Sequence, residues 1–134
     1  LYGTDALVCP LMDARRNQVY TGIYRFQDGT MQIVKDQVPV AIEEIVDALN
    51  QIGNKVIFIG DGVPVYRNVI EEMIDVPHLY APANMNKQRA ASVGVRALDY
   101  WKAGSYTDAD SFAPDYLRLS QAERERMERN QDKA

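Results

Sequence analysis

Two short stretches carry the residues whose types and spacing could do chemistry. Asp13-Ala14-Arg15-Arg16-Asn17 sets a carboxylate beside two guanidinium groups, and Gly60-Asp61-Gly62 sets a second carboxylate between two glycines. Each follows an apolar run that reads as a strand, and ligands of open α/β sheets gather at the carboxyl ends of strands. The chemistry implied is the binding of an anion or a nucleotide phosphate. A phosphate cradle needs glycine so that backbone N–H groups can approach closely. Gly60 and Gly62 meet that need, whereas the turn after Asp13 offers arginine charge and no glycine. A plainer reading stands beside each. The glycines also describe a tight turn, and the arginines a solvated hairpin. The candidate ligand-binding residues are Asp13, Arg15, Arg16, Gly60, Asp61 and Gly62.

Other chemistries lack their residues. His78 is the sole histidine and Cys9 the sole cysteine. A metal site needs several such ligands at usable spacing, and a nucleophile needs a paired base, so no metal and no catalytic residues are assigned. There is no P-loop and no full dinucleotide fingerprint. With a formal net charge of -4, direct nucleic-acid binding by an electrostatic face is not expected. No run of about 18 apolar residues crosses a membrane, and no signal peptide is visible. One cysteine makes no internal disulfide, which points to a reducing, cytoplasmic compartment. The chain begins at Leu1 rather than a methionine and reads as if cut from something longer.

The elements that position the two stretches follow from periodicity. Leu7 to Met12 forms a first strand, with Pro10 suited to an edge or a bulge. Val19 to Phe26 is rich in β-branched and aromatic residues and forms a second strand. Asp28-Gly29 is a hairpin signal, and Met31 to Asp36 gives a third strand. Ile42, Ile45, Val46, Leu49 and Ile52 then recur on one helical face, stopped by Gly53. Val56 to Ile59 is a short apolar run expected in the middle of the sheet, with Phe58 packed by helices from both faces. A second helix follows Pro64, with Val65, Val69 and Met73, joined by Ile70 and Ile74, as its apolar set. His78 to Tyr80 is a short last strand. Lys87 to Lys102 is a third helix. Its small residues Ala90, Ala91, Ser92, Gly94 and Ala97 would let it lie close to a neighbour, anchored by Leu98 and Trp101. The order βββαβαβα predicts an α/β fold of ribonuclease H-like type, as in an actin-like ATPase lobe. It has a mixed five-stranded sheet, an antiparallel meander and helices on both faces. Residues 1–112 form the lobe. Residues 113–134 form an extended segment and a charged helix or tail that opens with a capping box at Ser120–Glu123.

In that order, PLMDARRNQVYTGIY, FIGDGVPVY, an alanine-rich helix and PDYLRLSQAERER resemble the TsaB family, also called YeaZ and once classed with the M22 glycoproteases. The resemblance covers nearly the whole chain, with Tyr116, Leu117 and Arg118 as signature residues. It implies the carboxyl-terminal lobe of a two-lobed actin-like protein, with the amino-terminal lobe absent. It also implies a non-enzymatic partner that acts with TsaD-like and TsaE-like proteins. Together these place a threonylcarbamoyl group on adenosine 37 of tRNA. No cofactor is expected in this lobe, and any nucleotide would belong to the full complex. The face left by the missing lobe should be apolar, with Leu1, Tyr2, Val8, Val93 and Trp101 as candidates, and leaves room for a homodimer. Two other readings stay open: a glycoprotease-type hydrolase, and a small nucleotide- or anion-binding module.

Overall fold

The computed structural model describes residues 3–117. Leu1, Tyr2, Arg118, the capping box at Ser120–Glu123 and the charged run after it lie outside the described residues. In chain order the elements are strands β1 (Leu7–Asp13), β2 (Gln18–Gln27) and β3 (Thr30–Ala41), helix α1 (Ile42–Ile52), and strand β4 (Val56–Ile59). Helix α2 (Val63–Met73), strand β5 (His78–Tyr80), a 3-10 turn (Ala83–Met85) and helix α3 (Ala90–Lys102) follow. The expected order is the order found. The sheet runs β3-β2-β1-β4-β5. The first three strands pair antiparallel, and β4 joins β1 and β5 in parallel.

The middle strand is β1, not β4, so Pro10 lies at the centre of the sheet. Proline there removes a ladder donor. The described ladder accommodates this by a gap: β1 and β2 are in register at Val8↔Tyr24 and again from Leu11↔Thr21, with no pair at Cys9 or Pro10. Opposite the gap the β2–β3 register shifts on both sides of Ile23. A Cβ on Gly22 would lie 2.7 Å from the Tyr24 hydroxyl and 3.0 Å from the Lys35 carbonyl, so this irregular stretch admits only glycine without a shift. Of the two expectations for Pro10, the irregularity is what the structure shows.

Helices α1 and α2 share one core with the sheet. Ile42, Ile45, Val46 and Leu49 of α1 pack with Val63, Tyr66 and Ile70 of α2 on Leu7, Cys9, Leu11, Val19, Ile23, Val56 and Phe58. Val56 and Phe58 are buried while Ile57 and Ile59, which alternate with them, are half-buried, so Phe58 points to the α1–α2 side alone. The buried stripe of α2 also differs from expectation. Val65 is exposed, and Val69, Met73 and Ile74 only border the core. The helix starts at Val63, which puts Val63, Tyr66 and Ile70 inward at i, i+3 and i+7. The Asn50 side chain ties the two helices. Its Nδ2 donates to the Met73 carbonyl at 2.8 Å, and its Oδ1 accepts from the Asp75 N–H at 2.8 Å.

The other sheet face carries Val8, Met12, Ile57, Ile59 and Leu79, and Met12 and Leu79 are exposed. Helix α3 buries none of its residues. Val93 is 67% exposed and Trp101 64%, so Leu98 and Trp101 do not anchor the helix as expected. At 100° per residue, the apolar and small residues of α3 spread over more than half its circumference.

The chain divides into two compact units, 1–97 and 98–134, with the point of division inside α3. Beyond α3, exposed residues 103–112 form local turns, such as Ser105 N–H to the Tyr100 carbonyl at 2.9 Å and Phe112 N–H to the Asp108 carbonyl at 3.1 Å. Among the described residues no helix is long and apolar enough to cross a membrane.

Phe58 is fully buried and stacks on Tyr80 with ring centroids 5.8 Å apart. Phe58→Ala is expected to cost roughly 3–5 kcal/mol, read from urea unfolding. A midpoint within error of the native one would place Phe58 outside the cooperative core.

Candidate functional site

The parallel pairing of β1 with β4 brings the two chemistry-bearing stretches side by side. Pro10 pairs with Ile59, so the turn after β4 meets the last residues of β1. The Gly62 N–H donates to the Leu11 carbonyl at 2.9 Å. Gly60 has φ +117°, and a Cβ there would lie 2.2 Å from the same carbonyl oxygen. A Cβ on Gly62 would lie 3.0 Å from it. The approach of β1 by itself requires glycine at 60 and leaves little room for a side chain at 62.

Asp13 is the hub. Its Oδ1 accepts the Arg15 N–H at 2.9 Å and the Tyr66 hydroxyl at 3.0 Å, and its Oδ2 lies 3.5 Å from Arg15 Nη1. The Tyr66 hydroxyl also lies 3.2 Å from the Gln18 carbonyl, so one proton is shared by two acceptors. The Asp13 N–H donates to Asp61 Oδ1 at 3.3 Å, and the Gly60 N–H to Asn86 Oδ1 at 3.2 Å. The Arg15 N–H and then the Tyr66 hydroxyl hold the Asp13 carboxyl below the usual carboxylate range, against the opposing effect of desolvation. Desolvation, and then the hydrogen bond to Asp13, push the Tyr66 phenol up.

The turn between β1 and β2 takes a form the residue types alone do not announce. Arg15, Arg16 and Asn17 have φ values of 64°, 55° and 58°, three consecutive non-glycine residues in the left-handed region. Such strain persists only where the surroundings over-determine it. Ala14 N–H donates to the Gln18 carbonyl at 2.9 Å, and Gln18 N–H to the Arg15 carbonyl at 3.1 Å. Asn17 Nδ2 donates to Glu43 Oε1 at 2.7 Å, and the Ile42 N–H, at the open start of α1, to the Asn17 carbonyl at 3.3 Å. The missing glycines thus do not prevent a glycine-like turn. The turn still offers no cradle through Arg15, whose N–H is held by Asp13. The guanidinium groups of Arg15 and Arg16 face solvent.

Tyr66 was not among the sequence candidates. The start of α2 at Val63 turns Val63, Tyr66 and Ile70 inward and brings the tyrosine to the strand ends, and that start is set by the turn and not by residue spacing. Of the signature residues, Tyr116 is exposed, Leu117 is half-buried and Arg118 lies outside the described residues.

A second polar group joins α2 to β5. His78 Nε2 lies 3.4 Å from Glu71 Oε2, Arg67 Nε lies 3.7 Å from Glu71 Oε1, and the Arg67 guanidinium covers the Tyr80 ring at 4.4 Å. Burial, then the nearby Glu71 carboxylate, push Tyr80 up to about 12. Cys9 is buried 3.4 Å from the Thr21 hydroxyl and pushed up to about 12 by that burial, which leaves it a poor nucleophile. Among the described residues no three His, Cys, Asp or Glu side chains group as metal ligands.

The family model matching residues 2–126 is described as TsaD, tRNA N6-adenosine threonylcarbamoyltransferase. The tRNA threonylcarbamoyladenosine biosynthesis protein TsaB of Bacillus subtilis (strain 168) is 31% identical over 120 residues, covering 89% of this chain and 50% of that protein. A crystal structure of an uncharacterized protein with similarity to peptidase YeaZ, from Pseudomonas aeruginosa, matches with a TM-score of 0.66 at 23% identity, over 85% of this chain and 50% of the other. YeaZ from Pseudomonas aeruginosa matches with a TM-score of 0.62 at 22% identity, over 84% and 50%. The chain spans about half the length of these relatives.

Two predictions follow from the strand-end geometry. Gly60→Ala is expected to cost roughly 2–5 kcal/mol, because strain and a backbone clash combine. Gly29→Ala, also at positive φ but with nothing within 4 Å, should lose less. Equal losses in urea unfolding would remove the contact with Leu11 from the explanation. For Tyr66→Phe, the sign comes from Asp13. A carboxyl whose folded pKa is lowered contributes stability above its unfolded pKa and loses it as pH falls through the folded value. The melting temperature should drop by a few degrees at neutral pH, and the gap should close in acid below about pH 4. A gap that persists in strong acid would show that the hydroxyl acts through the Gln18 carbonyl instead.

Proposed function

The chain belongs to the tRNA N6-adenosine threonylcarbamoyltransferase family, as a TsaB/YeaZ-type member with the ribonuclease H-like, actin-like fold, and we propose that it is the carboxyl-terminal lobe of a non-catalytic scaffold for tRNA threonylcarbamoyladenosine biosynthesis. Its partners in this reading are TsaD-like and TsaE-like proteins, met as part of a two-lobed whole.

The observation that carries the non-catalytic role is the state of the strand-end site. Asp13, the one partly buried carboxylate there, is engaged through both oxygens and held below the usual range. A general base for neutral pH needs the opposite shift. Glycine approach, which would bring a substrate phosphate to main chain, is taken up by the Leu11 carbonyl. The contact capacity lies elsewhere. Helix α3 presents Val93, Val95, Leu98 and Trp101 to solvent, and the second sheet face exposes Met12 and Leu79. Apolar surface of this kind marks a partner face. We assign the Val93-bearing side of α3 to contact with the other lobe. The same apolar surface allows a homodimer.

The word peptidase in the description of one solved relative favours a second reading, a hydrolase. Metal analysis separates the two: stoichiometric zinc or iron in the purified chain would support the hydrolase, and its absence the scaffold.

The scaffold reading predicts that the 134-residue chain folds but does not replace full-length TsaB in a reconstitution with TsaD, TsaE and tRNA. Threonylcarbamoyladenosine formation should stay at background with the chain and reach the control rate with the full-length protein. A comparable rate with the chain alone would make the other half of the relatives dispensable and overturn the assignment of the lobe contact.

A further inference from the structure

Arg15, Arg16 and Asn17 hold φ values of 64°, 55° and 58°. In the left-handed region a Cβ crowds the following carbonyl oxygen, so a residue with a side chain stays there only while something holds it. Asp13 holds the turn at one end. Its Oδ1 accepts the Arg15 N–H at 2.9 Å and the Tyr66 hydroxyl at 3.0 Å. The guanidinium of Arg15, 3.5 Å from Oδ2, is 87% exposed and adds little, whereas Tyr66 reaches Asp13 from the buried side of α2. At its other end the turn holds α1. Ala41, at the cap position of that helix, makes no side-chain hydrogen bond to its open amides. Asn17 takes that place: its carbonyl accepts the Ile42 N–H at 3.3 Å, and its Nδ2 donates to Glu43 Oε1 at 2.7 Å.

We propose that the turn is a strained latch between the two core helices: the hydrogen bond from Tyr66 of α2 to Asp13 keeps Arg15, Arg16 and Asn17 left-handed, and its loss lets them relax and frees the start of α1. The order of dependence follows from the contacts. Without the Tyr66 hydroxyl, the Asp13 carboxylate is oriented by Arg15, a residue of the turn itself, and the turn loses its tie to α2. Relaxation toward negative φ turns the Asn17 carbonyl and side chain away from Ile42 and Glu43, the two residues that open α1. Left- and right-handed φ are separate wells, so the latch has two states rather than a graded response. This inference rests on the geometry of the turn and not on the scaffold role, so its failure would leave that role standing.

The test uses the full 134-residue chain labelled with 15N, at neutral pH. In the native chain Arg15, Arg16 and Asn17 should each give the strong intraresidue HN–Hα cross-peak of a positive φ, and the Ile42 amide should exchange slowly. In Tyr66→Phe those cross-peaks should weaken to the level of negative φ. Exchange at Ile42 should then rise at least tenfold more than at Phe58, whose amide reports opening of the whole core. With Arg15→Gly and Arg16→Gly added, a left-handed turn no longer needs the latch, and Asn17 and Ile42 should recover their native signals. Unchanged cross-peaks in Tyr66→Phe would overturn the proposal. So would a relaxed turn with Ile42 still protected, or a glycine pair that restores nothing. Should Tyr66→Phe lose its dispersed spectrum, Arg15→Gly with Arg16→Gly in the otherwise native chain decides. Its melting temperature should rise by a few degrees as the strain is relieved. A melting temperature at or below the native one would refute the strained latch.

Discussion

The contact on which the rest of this lobe depends is the approach of the Gly60–Gly62 turn to the Leu11 carbonyl. Parallel strands cannot be joined by a tight turn, so β4 must return beside β1 through the long β2–β3–α1 excursion. What fixes its depth along β1 is this turn. The Gly62 N–H closes on Leu11 at 2.9 Å, and α2 starts at once at Val63. That start sets the rotation of α2. Val63, Tyr66 and Ile70 go to the core, and the Tyr66 hydroxyl is delivered to Asp13. Asp13 in turn holds the Arg15 amide and so the left-handed turn, and Asn17 of that turn caps the open N–H of Ile42 at the start of α1. One glycine contact is thereby linked through four elements.

Much of this was legible in the sequence, for stated reasons. Period-2 and period-3.6 patterns differ sharply between the meander and α1, so element order and the mixed sheet could be read. That Asp13 and Asp61 stand at strand ends could be read; that they stand side by side comes from the parallel pairing of β1 with β4. Three features were not legible. Pro10 argues locally against a central strand, and only the irregularity at Gly22 and Ile23, a tertiary match, makes it tolerable there. Val65, Val69 and Met73 fit a helical stripe as well as Val63, Tyr66 and Ile70 do. The choice between them depends on where the helix begins, and turn geometry sets that. The left-handed turn at Arg15 to Asn17 carries no glycine and is held by partners far apart in sequence, Tyr66 and Glu43. No local propensity could announce it.

Helix α3 marks another limit of the same kind. Small residues along a helix signal close packing, and Ala90, Ala91, Gly94 and Ala97 supply that signal. They do not say against what. In the structure the helix buries none of its residues, while its apolar arc is broader than one contact requires. A surface helix shows a narrower stripe. A helix apolar over more than half its circumference suits a place between two surfaces.

Three left-handed non-glycine residues are unfavourable unless their neighbours leave them no alternative, and those neighbours are Asp13, Tyr66, Gln18 and Glu43. A group that served as a proton carrier at this site would lose its charge during turnover. Protonating Asp13 would weaken its bonds to Arg15 and Tyr66, which are the contacts that hold the turn. Structural and chemical duty therefore pull against each other at Asp13, whose carboxyl the Arg15 N–H and the Tyr66 hydroxyl hold below the usual carboxylate range. A site so arranged is suited to rigidity.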